Sequence, residues 1–576
     1  MRRLGWSRLA SVCAGASFMA TASVAAASSG LDSPESGVEQ VGRGSAWLAR
    51  ATDPLAAYYN PAAMAFQATG VHLGAQLMFA KKCFTRSTVD PATGKEVSVP
   101  ADQGVPVPLL PGQSQPSDGS GVLPSATTCG TATAFPNPQL GAVFRITDRL
   151  AVGLAVVAPH AAGKANFGES LAYTRNFNGT NFSLTQPAGQ RYMLVSSDAL
   201  IVNPTISVAF APTDYLSFGA GFVWGIATAH FVNFPEAVSN PPAAGDFGDH
   251  ARNDVRAELK TKDLFIPGFV LGGLWSATSN LDVAAWFKWQ DAIKGTTDLT
   301  LESLYWKNSG ARNSDACSGV DAMGNPLAKG CNITDAPKAG TLKLNIPMEA
   351  KIGFRYHLPR ADQSKKPSWA DKPDKPGRRV RDPMSEDWFD VEVDFTWANN
   401  SAVDNLELRF QPGIVIKDGS AGGVGQVPVN GDIPHKWRDV FGVRLGGDVV
   451  VLPNRLTLRT GGYFETKGQD DAYLAIDFVN GWKAGLSGGA TVRLGPIDLS
   501  VAYQHTFIGT LDNAGKGAVY ALSGDARGLS GEDPVCGKDA ANPKIGPGCF
   551  RSYQTINGGK LTAHLNEVGL SATARF

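Results

Sequence analysis

The sequence lacks a charge excess and lacks long apolar segments beyond its N-terminal region. Its 576 residues include 52 Lys and Arg against 52 Asp and Glu, a balance that disfavours nucleic acid as a partner. After residue 27 no run of about 18 consecutive apolar residues occurs, which excludes a transmembrane helix there. The 65 Gly and 36 Pro residues disfavour a long helical bundle, because Gly destabilises helix interiors.

Motifs for catalysis and metal binding are also missing. The sequence has no His-Glu-x-x-His, no Walker-type loop and no Cys/His cluster. "GLSGG", residues 485–489, matches the serine hydrolase pattern Gly-x-Ser-x-Gly, but it lies inside a predicted strand and not at a strand-to-helix turn. We therefore expect no enzyme activity, no metal and no cofactor. An outer-membrane lipid enzyme that uses Ser487 or another nucleophile is a rival hypothesis.

Residues 1–27 have the composition of a secretory signal peptide. "MRR" and Arg8 precede an apolar, small-residue run that ends in Ala25-Ala26-Ala27. Lipid modification at Cys13 fits poorly, because a bulky Val precedes it. The mature chain is therefore expected to be exported, and without a transmembrane helix it is either a soluble protein or a β-barrel.

Cysteine usage agrees with export. Six of the 7 Cys lie after the signal peptide, and an even number in an oxidising compartment favours disulfides. Pairing between nearest neighbours is one of about 15 connectivities for six cysteines, and free thiols are the alternative. The pairs predicted in this way are Cys83 with Cys129, Cys317 with Cys331, and Cys536 with Cys549.

Strict alternation of apolar and polar residues dominates the second half of the chain. In "FDVEVDFTWA", residues 389–398, the apolar set faces one way and the acidic set faces the other. "FGVRLGGDVVV" and "WKAGLSGGATVRL" repeat the pattern with both signs of charge and many Gly on the polar face. This period of two residues is typical of strands between two different solvents. A soluble sandwich also alternates.

Connection lengths favour a membrane barrel over a sandwich. Short turns at 147–149, 212–215, 278–280, 453–454 and 495–496 alternate with long loops rich in Gly, Pro, Ser and Asn. This rhythm is typical of outer-membrane barrels, whose periplasmic turns are short. We predict an all-β fold, a 14-stranded antiparallel transmembrane barrel, with both termini in the periplasm and the cysteines in outer loops. The strands are predicted to start near Gly70, Gln139, Leu150, Tyr192, Tyr215, Phe265, Leu281, Met348, Trp388, Trp437, Arg455, Trp482, Ile497 and Leu561.

One predicted periplasmic turn is long. Residues 359–387 contain a set of basic residues interleaved with Asp and Pro. The segment is either a docking site for an acidic periplasmic partner or a solvated linker, and the interleaved acids and prolines favour the linker. Its basic residues are Lys365, Lys366, Lys372, Lys375, Arg378, Arg379 and Arg381.

The two ends of the mature chain carry further signals. The last strand ends in Phe576 on its apolar face, and this terminal aromatic resembles the signal that bacterial barrel-assembly machinery recognises. At the other end lies "DPLAAYYNPAAMAF", residues 53–66. Asp53 is suited to cap a short helix that starts with Pro54, and Asn60 before Pro61 favours a turn. Residues 28–69 therefore read as short helices inside or under the barrel, and residues 70–576 as the barrel itself.

The N-terminal segment resembles the hatch of the FadL/TodX (OmpP1) outer-membrane transporters of hydrophobic compounds. The shared element is Asn60-Pro61-Ala62, preceded by "SGVEQVGRGSAWLARATDPLAAYY". In the barrel region "LAVGLAVVAPHAAGKANFGE", "LIVNPTISVAFAPTDYLSFGAGF" and "HKWRDVFGVRLGGDVVVLPNRLTLRTGGYF" are similar to the family in order. The resemblance covers most of the mature chain except the outer loops. It implies a barrel plugged by the hatch, with Asn60-Pro61-Ala62 either as a gate or as part of a static plug.

The resemblance also implies lateral exit of an apolar ligand at the third strand. Pro159 has no N–H for the strand ladder and Gly163 permits unusual backbone angles. The predicted kink is therefore the run Ala158, Pro159, His160, Ala161, Ala162, Gly163. The family often has Gly and an apolar residue at the Ala161-Ala162 position. Alternatively, Pro159 only ends a strand at the barrel rim.

A fatty-acid ligand needs a cation for its carboxylate. Lys164, Arg175 and Arg191 follow the kink and are the candidates. A lumen arginine such as Arg444 or Arg459 is an alternative, although these two are expected to pair with wall carboxylates. We expect a monomeric, passive bacterial outer-membrane transporter of hydrophobic compounds, with long-chain fatty acids as the leading ligand. The rivals are an aromatic-hydrocarbon channel and a structural or adhesive barrel with surface-binding loops. Expected partners are the ligand, membrane lipid and the assembly machinery.

Overall fold

The computed structural model describes a single β-barrel with a folded segment inside it. The strands of the described residues close into a barrel of fourteen antiparallel strands. Residues 1–35, which include the predicted signal peptide, and the cysteines at 317, 331, 536 and 549 lie outside the described residues. The described residues are 36–89, 94–98, 127–131, 134–159, 163–177, 180–234, 255–303, 338–360, 380–411, 415–418, 422–426, 431–519 and 556–576.

Each wall strand pairs with its neighbours in chain order, and four of them consist of two segments. The strands are β1 Gly70–Val89, β2 Phe135–Arg145, β3 Leu150–Val157 with Gly163–Asn166, β4 Ser196–Phe210, β5 Leu216–Asn233, β6 Val255–Ser276, β7 Leu281–Gln290 with Ile293–Ser303, β8 Lys338–Leu344 with Glu349–Pro359, β9 Asp387–Ala398 with Asn405–Phe410, β10 Val440–Leu452, β11 Leu456–Glu465, β12 Lys483–Leu494, β13 Ile497–Asp512 and β14 Gly559–Arg575. The barrel closes where β1 pairs with β14, from Gly70 opposite Arg575 to Arg86 opposite Gly559.

The predicted number of strands is confirmed, and two predicted starts are wrong by about ten residues. β6 begins at Val255, not near Phe265, and β8 has a first segment that begins at Lys338. Both extensions lie on the loop side of the barrel. Residues 255–262, "VRAELKTK", alternate as a strand does but carry charge on the outward face, because this part of the wall rises above the apolar band.

The wall presents apolar side chains to the outside and polar side chains to the lumen. On β14 Leu570 is 64% exposed on the outer face, whereas Glu567 is fully buried on the inner face. Arg444 of β10 and Gln504 of β13 are likewise buried in the lumen. An apolar exterior around a polar interior is the arrangement of a transmembrane barrel.

Short strands and hairpins extend the wall on the loop side. Glu96–Ser98 and Thr128–Cys129 pair with β1, and Ile433–Pro434 pairs with β9. Two hairpins stand apart from the wall, Ser170–Phe177 with Thr180–Pro187 and Val415–Asp418 with Gly422–Gln426. The short turns, by contrast, all lie at the end where β1 begins and β14 ends.

The helices of the described residues are short. α1 (Val38–Gly42), α2 (Ala56–Tyr59) and a 3₁₀ helix (Pro61–Phe66) lie inside the barrel, and α3 (Pro383–Glu386) lies in the turn between β8 and β9. Two further 3₁₀ turns are Asn400–Ala402 and Asp471–Tyr473. No helix of the described residues is both long and apolar enough to cross a membrane.

Candidate functional site

Residues 36–69, which we call the hatch, fill the turn end of the lumen. Asn60 separates α2 from the 3₁₀ helix, and its side-chain Nδ2 donates to the Leu48 carbonyl at 2.9 Å. The neighbouring Ala62 carbonyl accepts a hydrogen bond from Ser217 Oγ of β5 at 2.8 Å. Asn60-Pro61-Ala62 thus joins the first half of the hatch (residues 36–50) to the second half (residues 51–69), and joins both to the wall.

Wall glycines admit the hatch at this point. A Cβ on Gly219 would lie 2.4 Å from the Pro61 carbonyl carbon, and one on Gly272 would lie 2.4 Å from Asn60 Oδ1. Both distances are shorter than any normal van der Waals contact. Glycine is therefore required at these two positions, because only a residue without a side chain lets the wall backbone contact this turn.

Buried ion pairs hold the first half of the hatch against β9, β10 and β11. Arg43 lies 2.7 Å from Asp390, 2.6 Å from Asp448 and 3.2 Å from Glu392, and its side chain is fully buried. Arg50 pairs with Asp448 at 2.9 Å and also with Asp390. We call this cluster the ionic clamp. Burial alone would lower the pKa of Arg43, but Asp390, Asp448 and Glu392 outweigh burial and raise that pKa, so the charge is retained.

The clamp extends to the wall arginine Arg459. Its guanidinium lies 3.6 Å from Glu39 of α1 and 3.3 Å from Asp448. Burial raises the pKa of Glu39, but Arg459 and Arg50 outweigh burial and lower it to about 2. Arg444 pairs with Glu465 of the wall at 3.2 Å. Arg459 therefore contacts a hatch carboxylate as well as the wall carboxylate that the sequence led us to expect.

A second segment contacts the hatch at the turn end of the barrel. Residues 380–386, which we call the strap, end the long turn between β8 and β9. The backbone N–H of Arg381 donates to the Phe66 carbonyl at 2.9 Å, and its guanidinium lies 4.1 Å from the Phe66 ring centroid. The same guanidinium donates to Ser276 Oγ at 2.7 Å and Asp282 Oδ1 at 3.2 Å. Residues 361–379, with the other basic residues of this turn, lie outside the described residues.

A cavity of about 220 Å³ remains between the hatch, the strap and the last strand. Three arginines line the cavity, and Asp382 and Asp498 neutralise two of them. Arg493 lies 2.5 Å from Asp382 and 2.6 Å from Asp498. Arg575 lies 2.5 Å from Asp498. The cavity is therefore a charge-balanced gap at the turn end of the barrel.

Ser487, the residue on which the lipid-enzyme hypothesis rests, supports the hatch. Its Oγ accepts a hydrogen bond from the Gly44 N–H at 2.7 Å and donates to the Gly461 carbonyl at 3.2 Å. "GLSGG" lies within β12, in regular register with β11 and β13. Both contacts of the hydroxyl are therefore structural, and the strand lacks the sharp turn that exposes a hydrolase nucleophile.

The third strand is interrupted where the sequence predicts a kink. Val157 pairs with Asn203 of β4, and pairing resumes with Gly163 opposite Ala199. The chain has five residues between Val157 and Gly163, whereas β4 has three between their partners Asn203 and Ala199. Ala158 is fully buried and its carbonyl accepts a hydrogen bond from Asn137 Nδ2 at 3.0 Å. Pro159 follows in a turn, and the kink residues His160, Ala161 and Ala162 lie outside the described residues.

The strand on the other side of β3, β2, is also not paired with β3 at this height. β2 residues 135–139 pair with β1, but the register between β2 and β3 begins only at Leu140 opposite Val156. This stretch reads Phe-Pro-Asn-Pro-Gln, and its two prolines have no N–H to donate to a ladder. This second break was not predicted from the sequence, although Pro136 and Pro138 are a usable signal for it.

Polar contacts connect the break to the hatch. Asn203, the β4 partner of Val157, donates from Nδ2 to the Tyr58 hydroxyl at 3.3 Å and accepts from Gln290 at 3.0 Å. Trp286 Nε1 donates to the Tyr58 carbonyl at 2.8 Å. The second half of the hatch is thus bound to the strand beside the break by neutral hydrogen bonds, in contrast to the ionic clamp of the first half.

A small apolar pocket lies at the loop end of the lumen. Its volume is about 60 Å³. Arg191 is fully buried beside it, with its guanidinium 5.2 Å from the Tyr192 ring and 5.0 Å from the Phe234 ring. Arg86 of β1 lies 5.1 Å from the same Tyr192 ring. The pocket is lined by Tyr192, Met193, Asn233, Phe234, Asp432, Ile433, Pro434, Leu474, Ala475, Ile476, Asp477, Val519 and Ile556.

The three cation candidates from the sequence lie in different environments. Arg191 is beside the pocket, whereas Lys164 forms an exposed pair with Asp198 of β4 at 3.3 Å. Arg175 lies in the hairpin strand Ser170–Phe177, opposite Phe182. Arg86 was not a candidate, although its inward position follows from the alternation of β1.

Two loops that border the pocket are joined by His435 and Asp477. His435 is fully buried, and its Nε2 lies 3.0 Å from Asp477 Oδ2. Burial lowers the pKa of His435, but Asp477 and the hydrogen bonds to Asp477 and Ile433 outweigh burial and raise it. The same partnership lowers the pKa of Asp477 against the effect of burial. The ion pair thus fixes the two loops relative to each other.

The remaining sequence features lie on the wall. Cys83 and Cys129 form a disulfide and stand directly opposite each other in β1 and the short strand Thr128–Cys129. Phe576 is 79% exposed, and its N–H donates to the Thr69 carbonyl at 2.8 Å. Within the described residues no cluster of three or more His, Cys, Asp or Glu side chains is arranged to hold a metal ion.

Known proteins resemble this chain in fold. No family model and no curated protein sequence matches it. A FadL homologue from Pseudomonas aeruginosa matches over 95% of this chain and 99% of its own, at 17% identity and a TM-score of 0.60. A deltaS2S3 mutant of the monoaromatic hydrocarbon channel TodX matches over 94% and 99%, at 13% identity and a TM-score of 0.52. The FadL/TodX resemblance of the sequence is thus confirmed at the level of the fold.

Proposed function

We propose that this chain is a passive outer-membrane transporter of hydrophobic compounds, with long-chain fatty acids as its ligands. The observation that carries the proposal is a transmembrane barrel that is closed at its turn end and broken in its wall. The hatch and strap fill the lumen at the level of Phe66, while β3 is interrupted between Val157 and Gly163. A solute in the lumen therefore has a route sideways where the axial route is blocked.

Lateral exit suits an apolar ligand for a physical reason. Movement from the lumen directly into the bilayer keeps an acyl chain out of water, and each CH₂ that stays buried is worth about 0.8 kcal/mol. The interruption of β3 after Val157 lies next to Asn203 of β4, which contacts Tyr58 of the hatch. We propose that displacement of the hatch around Asn60-Pro61-Ala62 widens this gap by a shift between two states.

Capture would begin at the loop-side pocket. Arg191 and Arg86 each contact the ring of Tyr192, which lines this apolar pocket. Such a pair is suited to a carboxylate, because hydrogen bonds to charged groups are about twice as strong as neutral ones. A cavity of about 60 Å³ is smaller than the roughly 300 Å³ of a typical ligand site. Ligand entry would therefore require the loops around Ile476 and Ile433 to separate.

The same proposal places the short turns and both chain ends in the periplasm and the loops at the cell surface. The short-turn end contains Gly70 and Arg575, which pair with each other. Short periplasmic turns are the rule for outer-membrane barrels. The exposed Phe576 beside this end is proposed as the assembly signal.

An aromatic-hydrocarbon channel is the second candidate. Tyr192 and Phe234 give the pocket two aromatic walls, and the TodX structure that shares this fold is described as a monoaromatic hydrocarbon channel. Aromatic hydrocarbons have no carboxylate, so this candidate does not require Arg191 or Arg86.

Uptake of labelled oleate and labelled toluene distinguishes the two. Cells that lack their own fatty-acid transporter would express the wild type, a variant with Asn60-Pro61-Ala62 replaced by Ala-Ala-Ala, or Arg191→Gln. We expect the wild type to restore oleate uptake and both variants to reduce it at equal barrel levels. Toluene uptake without oleate uptake would favour the second candidate. No uptake of either compound by a correctly inserted barrel would contradict the proposal.

A further inference from the structure

Three basic side chains lie together on the outer face of the wall where the barrel closes. The backbone of Lys81 in β1 pairs with that of His564 in β14, and His564 pairs on its other side with Phe507 of β13. The rings of His505 and His564 are 6.0 Å apart, centroid to centroid. We call Lys81, His505 and His564 the outer basic patch.

Alternation fixes the direction of these side chains. Lys81 shares its face of β1 with Leu73, which is 64% exposed on the barrel exterior. His564 shares its face of β14 with Leu570, and His505 shares its face of β13 with Leu499, both exposed. The patch therefore faces the membrane side of the wall and not the lumen.

The patch lies at the loop-side border of the apolar band. Lys81 is ten positions after Val71, the first outward residue of β1. A rise of about 3.3 Å per residue on a strand tilted by about 40° places Lys81 about 25 Å above Val71. The apolar band of a transmembrane barrel is about 25 Å tall. Lys81 is thus at the height of lipid headgroups, together with Phe507, whose ring is 4.4 Å from that of His505.

The charge of the patch is not balanced by carboxylates. Asp512 is the only acidic residue on the outward faces of the described parts of β1, β13 and β14, and it lies 4.0 Å from Lys560. Among the described residues Lys81 has no ion-pair partner. A comparable outward cluster on β5 and β6 does contain a carboxylate, since Glu258 lies 2.8 Å from Lys260, 3.1 Å from Arg256 and 3.0 Å from His230.

Neighbouring polar groups hold part of the patch in place. Asn566 Oδ1 lies 2.8 Å from His505 Nδ1 and accepts a hydrogen bond from the Tyr503 hydroxyl at 2.8 Å. Since Oδ1 is an acceptor, His505 Nδ1 donates to it, and this fixes the imidazole plane. The arrangement is therefore preorganised and not a set of independent surface side chains.

We propose that the outer basic patch binds the phosphate of an anionic lipid headgroup in the loop-side leaflet. At headgroup height the Lys81 ammonium group can make a charge-assisted hydrogen bond to a phosphate, and each imidazole can add one when its ring is protonated. The lipid would bridge β13, β14 and β1, and so stabilise the seam between the first and last strands. Ligands that bind only the folded state raise stability with their concentration.

The test uses the purified full-length protein in neutral detergent and does not depend on transport. Diphosphoryl lipid A and its dephosphorylated form, with the same acyl chains, are added at matched concentrations. Native mass spectrometry measures bound lipid, and thermal unfolding measures the shift in Tm. We expect the diphosphoryl form to bind about tenfold more tightly and to raise Tm. The K81Q/H505Q/H564Q variant should lose that preference.

Lys262 provides the matched control, because it is an exposed lysine on the outward face of β6. K262Q should bind both lipids as the wild type does, whereas K81Q alone should weaken binding of the diphosphoryl form about threefold. The single variant also covers the case in which the triple variant does not fold. Equal binding of both lipid forms by the wild type, or unchanged preference in K81Q and in a folded triple variant, would overturn the proposal.

Discussion

Arg43 and Asp390 are separated by 347 residues in the chain, and their side chains meet 2.7 Å apart in the barrel interior. This pair is the centre of the ionic clamp that ties the hatch to β9. Removal of one partner from a buried ion pair costs about 3–5 kcal/mol, because the other charge stays buried. The clamp therefore determines how firmly the first half of the hatch is held.

Arg43→Ala is expected to loosen residues 36–50 while the barrel stays closed. Asp390, Glu392 and Asp448 would then face one another with less compensation. Hydrogen exchange of hatch peptides should rise at least tenfold, and channel conductance to small ions should increase. Arg438→Ala is the control, since Arg438 is 70% exposed and pairs with Asp470 at the surface. Equal exchange in both variants would contradict a clamping role.

Gly272 and Gly273 provide a matched pair for testing the seat of Asn60-Pro61-Ala62. A Cβ on Gly272 would lie 2.4 Å from Asn60 Oδ1, whereas a Cβ on Gly273 meets nothing within 4 Å. Gly272→Val should therefore displace the hatch and lower the free energy of unfolding by about 1–3 kcal/mol, the range for overpacking. Gly273→Val faces lipid and should be neutral. Thermal unfolding of both variants in detergent checks the difference.

The wall was predictable from the sequence and the interior contacts were not. Period-two alternation and short turns predict every wall strand, because a residue's face depends only on its position within a strand. The start of β6 was not predicted, because its first residues alternate as a strand does but have Lys260 and Lys262, and not apolar residues, on the outward face. The clamp could not be predicted, because Arg43 and its carboxylates are brought together only by closure of the barrel. The inward position of Arg86, in contrast, could have been predicted, because the alternation along β1 places its side chain on the lumen face.

Deletion of Ala161 and Ala162 should repair the third strand. The chain has five residues between Val157 and Gly163, whereas β4 has three between the partners of these two residues, Asn203 and Ala199. With two residues removed the numbers match, and β3 can align with β4 from Asn203 to Ala199, with Pro159 as a position that cannot donate a hydrogen bond. We expect uptake of hydrophobic ligand to fall at least tenfold at equal barrel levels. Replacement of both alanines by Gly keeps the length and should retain uptake. Full uptake by the deletion variant would exclude exit at this break.

The pair His435–Asp477 predicts a pH dependence of the loops over the pocket. The pKa of His435 is raised in the folded state, so its contribution is complete below the unfolded pKa of about 6.5 and is lost as pH rises through the folded pKa. The pKa of Asp477 is lowered, so its contribution is lost only as pH falls below about 3.8.

As pH rises from 6 to 9, the loops at 431–439 and 470–480 should therefore become less firmly held. Hydrogen exchange of these loops, corrected for the intrinsic pH effect, should rise in the wild type. His435→Gln should show the loosened state at pH 6 and little further change. A wild-type rise that persists unchanged in His435→Gln would assign the effect to another group.

The strap is expected to seal the axial path independently of the clamp. Arg381 stacks on Phe66 and donates to Ser276 and Asp282, so Arg381→Ala removes three contacts but leaves the backbone bond to the Phe66 carbonyl. The cavity of about 220 Å³ above the strap would then open to the turn side. Conductance of the purified barrel in planar bilayers should rise, while hydrogen exchange of residues 36–50 should stay at the wild-type rate because Arg43 is unchanged. Arg455→Ala, an exposed arginine at the same end of the barrel, should leave both quantities unchanged. If Arg381→Ala also released residues 36–50, the strap and the clamp would act as one unit, and the hatch would move as a whole.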